Sequence, residues 1–233
     1  MRITKLLLIC ALFLCLVASQ VWGAAMTVVT VSSSNGQFGD GRTSGSVTAG
    51  NGLIIVLEWD GGTEFTSPTV SGETLLFAAG KFSGSSACCG TQATRIGYIK
   101  SLASTGTKTF QTSSSHTGFV TFIQVSGHDT TTFFDANCTG SGNSGTLSCS
   151  LTTASANELI VATFRGGNDG DYTAGSGYTI TNTLTEYNAD VGAAGSKTVS
   201  VTQPSNAWIL QAAAFLPAST AAHRRIPRPI FFP

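Results

Sequence analysis

A stretch of fifteen residues occurs twice in this chain. Residues 48–62 read TAGNGLIIVLEWDGG and residues 153–167 read TASANELIVATFRGG; aligned without a gap, six positions are identical and Trp59 meets Phe164. A second block follows in the same order. Residues 98–110 read YIKSLASTGTKTF and residues 187–199 read YNADVGAAGSKTV, so that Tyr98/Tyr187, Gly106/Gly195, Lys108/Lys197 and Thr109/Thr198 coincide. Further on, Phe119–Val120 falls on Trp208–Ile209. Self-similarity in two ordered blocks marks a repeated structural unit. Each copy supplies a long buried strand, a tyrosine strand, a lysine–threonine strand and a closing aromatic strand. A four-strand unit of this kind cannot bury its apolar face alone. The expected fold is therefore an all-β antiparallel sandwich of about eight strands, jelly-roll-like, built from an internally duplicated four-strand unit.

The local pattern agrees. Leu53 to Trp59 is a nearly continuous apolar run, as in a central strand, and Phe119–Val125 and Trp208–Phe215 behave alike. Thr198, Ser200 and Thr202 alternate with Val199 and Val201, which reads as a strand with one wet face. Asn35-Gly36, Asn51-Gly52, Asp60-Gly61 and Asp169-Gly170 are hairpin-type turn signals. No window sustains a helical period.

Residues 1–25 read as a secretory signal: Arg2 and Lys5, then the apolar run Leu6–Val17, then small residues that place cleavage at Gly23–Ala24 or Ala25–Met26. The run is short for a bilayer span, and no later stretch is apolar enough for one. The expected organisation is a signal over 1–25, a β-sandwich over 26–217 and an extended tail over 218–233, with no membrane association after cleavage. Without Arg2 and Lys5, ten basic residues face twelve acidic ones, a net charge of −2; without Arg224, Arg225 and Arg228 as well, the domain carries −5. That balance argues against a nucleic-acid surface. With only 10% charged residues, the polar faces are mostly Ser and Thr, as suits an extracellular β-protein.

Cysteine usage fits an oxidising compartment. Outside the signal stand Cys88, Cys89, Cys138 and Cys149, which allow three pairings. The favoured one is Cys138–Cys149, stapling a Gly/Ser-rich loop and stabilising by about 3 kcal/mol. Cys88 and Cys89 form a second candidate bridge or stay reduced. They lack the spacing and the histidines of a metal site.

The runs TAGNGLIIVLEW, VSGHDTTTFFDANCTGSGNSGTLSCSLTTASANELIVATF, AGSGYT and TEYNADVGAAGSKTVSV followed by AWILQAAAF are similar to an uncharacterised family of secreted bacterial and phage-associated β-sandwich domains, found in cell-surface or extracellular proteins. The resemblance spans residues 27–217 and implies fold and location. It brings no catalytic residues. The cysteine pairs, the signal and the arginine-bearing tail lie outside the shared pattern.

Chemistry-bearing motifs are sparse. There is no G-x-S-x-G elbow and no H-E-x-x-H. A Ser/His/Asp set would have to use His128 with Asp129 or Asp135, and reads better as charge on a turn; His116 lies in a polar turn. Gly140, Gly142 and Gly145 spell G-x-G-x-x-G, but inside the Cys138–Cys149 segment and with no helix to follow, so nucleotide binding is not expected. Glycosidase chemistry needs two facing carboxylates. Glu58 is the best single acid, on a face with Ile54 and Val56 and expected at a solvated strand end; Glu64, Glu73 or Glu186 would have to approach it, because the copy carries Thr163 instead. Asn168, Asp169 and Asp171 suggest a calcium loop without the full EF-hand pattern. Tyr172 and Tyr178 in the same loop are the aromatics expected to be exposed for a sugar, whereas Trp59 and Trp208 read as core. Asn137-Cys138-Thr139 is a glycosylation sequon only in a source that uses such sites.

The tail, with Arg224, Arg225, Arg228, Phe231 and Phe232 among prolines, reads as an extended terminus or as an assembly peptide for a neighbouring copy. The expectation is a secreted, non-enzymatic structural or adhesive protein without cofactor, calcium aside. Its partners would be a surface glycan or copies of itself. The alternative is a carbohydrate-binding, lectin-like module; a glycan-active hydrolase ranks lower.

Overall fold

The computed structural model describes residues 24–86, 90–113, 115–167, 171–182 and 184–219. Among them are fourteen strands in three sheets, all paired antiparallel. The N-terminal half holds β1 (Thr27–Gln37), β2 (Arg42–Val47), β3 (Gly52–Asp60), β4 (Thr69–Val70), β5 (Leu76–Phe77), β6 (Phe82–Ser86), β7 (Gly90–Ile99), β8 (Gly106–Gln111) and β9 (Thr117–Ser126). Its large sheet runs β1-β9-β3-β7-β5, with β6 also on β7, and its small sheet runs β2-β8-β4. The C-terminal half holds β10 (Phe134–Thr153), β11 (Leu159–Arg165), β12 (Thr179–Ile180), β13 (Thr185–Asn188) and β14 (Gly195–Phe215), in the order β10-β14-β11-β13-β12.

The pleat of β3 divides the N-terminal half into two cores. Leu53, Ile55, Leu57 and Trp59 point outward onto Phe38, Val47, Phe65, Val70 and Phe110, beneath the small sheet. Ile54 and Val56 point inward, with Ile96, Ile123 and Val125, against Leu159, Val161, Ala213 and Phe215 of the other sheet. A third core lies on the far side of that sheet. There Ile160, Ala162, Phe164, Trp208, Leu210, Ala212 and Ala214 are covered by Leu147, Leu151, Val199 and Val201. Each half thus buries an apolar face of its own, contrary to the sequence expectation of one shared core, and the halves then share the middle layer. The count of about eight strands in two sheets also fails. Segments beyond the four strands read in each block also pair as strands, among them the Gly/Ser-rich stretch between Cys138 and Cys149 that reads as a loop. Residues 63–97 supply β4 to β6 and most of β7.

In the N-terminal half the cover is reached through a short 3-10 turn, Phe38–Asp40, between β1 and β2. Asn35-Gly36, read as a hairpin signal, instead pairs within β1, against Phe119 and Gly118. In the C-terminal half the cover is made by two long strands. β10 and β14 pair from Phe134↔Phe215 to Thr153↔Gly195, with the register shifting between Ser144 and Thr146. Cys138 and Cys149, eleven residues apart on β10, are joined by a disulfide with Cα atoms 5.8 Å apart. A straight strand of that length would separate them by about 35 Å, so the ribbon is folded back on itself and the bond ties its arms. The glycines permit this. A Cβ on Gly140 would stand 2.3 Å from the Ser148 carbonyl oxygen, and one on Gly142 would stand 2.9 Å from the Trp208 ring. The Trp208 indole N–H donates to Ser144 Oγ at 3.1 Å. The G-x-G-x-x-G spacing is therefore the footprint of a bend.

The two similar sequence blocks fall at related places in the sheets, with small slides. Ile54 pairs with Tyr98, while Val161 pairs with Tyr187. This is a two-residue shift from the ungapped alignment, and it keeps the same faces. The closing strand needs a correction: Phe119 pairs with Glu58 and faces inward, whereas Trp208 faces the third core. By sheet position Phe119, across from Glu58, corresponds to Gln211, across from Thr163. Replacing Cys138 and Cys149 together by Ala is expected to lower the unfolding free energy by about 3 kcal/mol in urea titrations; an unchanged midpoint would contradict a ribbon held by that tie.

Candidate functional site

The inward faces of β3 and β11 are apolar at one end and polar at the other. Past Ile54 and Val56, β3 presents Glu58 and Asp60; past Leu159 and Val161, β11 presents Thr163 and Arg165. Glu58 is only 1% exposed. Its Oε1 accepts hydrogen bonds from the Thr163 hydroxyl at 2.6 Å and the Thr185 hydroxyl at 3.0 Å. The Arg165 guanidinium donates to Gln92 Oε1 at 3.1 Å and reaches Asp60 Oδ1 at 3.3 Å. Thr163, aligned with Glu58 in the similar sequence block, is thus one of its partners, and Asp60 meets Arg165, with which it is aligned. Glu58 is buried and not solvated at a rim, because β3 is central in its sheet and the second sheet covers it.

Beside this pair lie Thr94 and Gln211. Thr94 stands directly across the β3–β7 ladder from Glu58, and Gln211 across the β11–β14 ladder from Thr163. The Thr94 hydroxyl donates to Gln211 Oε1 at 3.4 Å, and Gln211 Nε2 donates to the Gly80 carbonyl at 3.1 Å. All are buried. In a low-dielectric layer such networks fix one relative placement of the sheets, since any slip would strand polar groups.

At the edge of the layer a groove of about 360 Å³ opens between β1 and β12, lined by Val31, Ser32, Ser33, Thr179, Thr181, Asn182 and Tyr187. Asn182 fixes its floor: Nδ2 donates to Ser33 Oγ at 3.0 Å and to Thr121 Oγ1 at 2.5 Å, and Oδ1 accepts the Leu184 N–H at 2.8 Å. The groove therefore offers hydroxyls and one aromatic ring.

The other acids do not join Glu58. Glu64 pairs with Arg95 at 3.1 Å and Glu73 with Lys108 at 2.5 Å. Glu186 lies opposite Ala162 on the far face of the sheet, where the Gly175 N–H donates to it at 3.2 Å. His128 donates from Nε2 to the Lys100 carbonyl and packs on Phe133, with ring centroids 4.7 Å apart. Asp129 accepts the N–H groups of Thr131 and Thr132, and Asp135 that of Ala154. Each of these residues has a local structural partner. His116 bonds the Thr63 carbonyl at 3.0 Å.

Tyr172 and Tyr178, expected to be exposed, are half-buried against the third core, Tyr172 with its ring 4.8 Å from that of Phe164. The segment is held down by the backbone pair Thr173–Thr202. Asp171 is exposed; Asn168, Asp169, Cys88, Cys89 and the tail residues Arg224, Arg225, Arg228, Phe231 and Phe232 lie outside the described residues. Among those described, no three His, Cys, Asp or Glu gather to hold a metal ion. Asn137 of the sequon is exposed and donates to the Ala78 carbonyl at 3.4 Å.

Sequence reading missed Thr94, Thr185, Gln92 and Gln211 as one group with Glu58. The signal available was Gln211 standing alone in the apolar run AWILQAAAF. Compared with known proteins, the chain matches no family model, no curated protein and no solved structure.

Two buried acids set the pH response. Burial pushes Glu186 up to about 7, against the favourable Gly175 N–H. Burial, with the neighbouring Asp135 carboxylate adding to it, pushes Glu158 up to about 8. Both fold in the protonated form, and the unfolded chain gives up these protons near 4.5. Their contribution is therefore full below that pH and is lost as pH rises through 7 and 8. His128, whose pKa burial lowers, has already shed its proton above its ordinary value of 6.5. Thermal denaturation is expected to show a Tm that falls from pH 6.5 to 8.5, and a flatter profile in the Glu158→Gln/Glu186→Gln variant; a wild-type Tm that rises over this window would contradict the assignment.

Proposed function

We propose that this chain is a secreted, non-enzymatic structural or adhesive β-protein of a cell surface, matrix or particle, made of two jelly-roll-like halves from one duplicated unit. The similarity to secreted bacterial and phage-associated domains belongs to the same reading. The observation that carries it is the fate of the polar side chains. Glu58, Thr163, Thr185, Gln92 and Arg165 bond one another between the sheets, and Glu64 and Glu73 are occupied by Arg95 and Lys108. These groups serve rigidity, and a rigid block suits load or display. Copies of the chain are its proposed partners, through the tail at 218–233.

A second reading, carbohydrate binding, draws on the groove beside Tyr187. Sugar rings stack on aromatic faces, and hydroxyl rims satisfy their edges. A glycan array probed with the purified mature protein, with and without calcium, separates the two. The structural reading predicts no specific binding at high protein concentration. Specific binding that is lost in Tyr187→Ala would overturn it in favour of a lectin-like module, and calcium dependence would bring Asn168, Asp169 and Asp171 into that site.

A further inference from the structure

The middle layer holds a reactive arrangement that a rigid-block reading does not need. A threonine hydroxyl and a glutamine side-chain amide from opposite sheets, 117 residues apart in sequence, meet at 3.4 Å. Thr94 has no exposed surface, and Gln211 and Glu58 have 1% each. Gln211 is held by its own nitrogen, which donates to the Gly80 carbonyl at 3.1 Å and so turns the amide oxygen toward Thr94. Glu58 lies directly across the ladder from Thr94, on the same face, where cross-strand Cβ atoms stand about 5 Å apart. Its Oε1 is a hydrogen-bond acceptor for two other threonine hydroxyls.

We propose that Thr94 and Gln211 form an intramolecular ester that covalently joins the two sheets. Thr94 Oγ adds to Gln211 Cδ, and the hydroxyl proton passes to the Glu58 carboxylate. The tetrahedral adduct collapses by breaking the Cδ–Nε bond; Nε takes the proton back from Glu58 and leaves as ammonia. A hydroxyl and a carboxamide become an ester and one ammonia, with no oxidant, reductant or cofactor. Three features favour the step. Fixed neighbours react with high effective molarity. A carboxylate is a competent base for a hydroxyl nucleophile. The water-excluded layer protects the ester from hydrolysis.

The test is the mass of the intact, mature, disulfide-bonded protein. The ester makes it lighter by one ammonia. Digestion then yields a peptide carrying Thr94 joined to one carrying Gln211, and mild alkali separates them. The Thr94→Val variant is expected at full mass, and Glu58→Gln at full mass or with the deficit growing in far more slowly. Full mass in the wild-type protein overturns the proposal. So does a deficit that persists in Thr94→Val, as a succinimide at Asn35-Gly36 would give, or a link mapped to Thr163. Peptide mapping of the wild-type chain decides the matter even if a variant fails to fold.

Discussion

The contact between β3 and β11 is the constraint from which the rest of the structure follows. Two central strands, one from each half, lie face to face and change character together. Ile54 and Val56 meet Leu159 and Val161 in a dry patch, and then Glu58 meets Thr163 and Asp60 meets Arg165. The dry end supplies the burial that drives the halves together. The polar end decides how they sit, because a carboxylate buried to 1% exposure is tolerable only where donors reach it. Displacing β11 by one residue would turn Thr163 away and bring the third core's Ala162 or Phe164 inward.

The outer tiers follow from the same two strands. Each has apolar residues on its outer face as well, so each half needs a cover. One half turns β1 into β2 through a three-residue 3-10 turn. The other half bends a single ribbon over and ties it with Cys138–Cys149. Glycine at 140 and 142 makes the second solution possible by letting Ser148 and Trp208 come close. The same architectural need is met by a turn in one half and by a covalent tie in the other.

Much of this was legible in the residues. The long apolar runs, the face that Glu58 shares with Ile54 and Val56, the alternation at 198–202 and the cysteine pair at 138 and 149 all follow from pleat parity and composition. The cover strands did not. Residues 139–146 are Thr, Ser, Gly and Asn, a composition that reads as loop, and their strand form comes from a ladder with β14 that no local pattern shows. The polar layer was half-visible. Glu58 stood out as a charge in an apolar strand, but its partners Thr163 and Thr185 come from the other sheet, and threonine is too common in β-proteins to mark itself as a ligand of a buried acid. Tyr172 and Tyr178 were misplaced for a similar reason: a Gly-rich, acidic segment reads as an open loop, and only the tertiary contact with Phe164 shows it folded down.

These features describe a protein whose polar investment is internal, and they make the inter-sheet layer the place where its role is decided. The central claim is that Glu58 and Thr163 act as one unit across that layer. A double-mutant cycle of Glu58→Ala and Thr163→Val, read by urea denaturation, tests it most directly. The account predicts a coupling of about 1–3 kcal/mol between the two substitutions. Strictly additive losses would contradict it, and would mean that the Glu58–Thr163 hydrogen bond does not help to hold the two sheets.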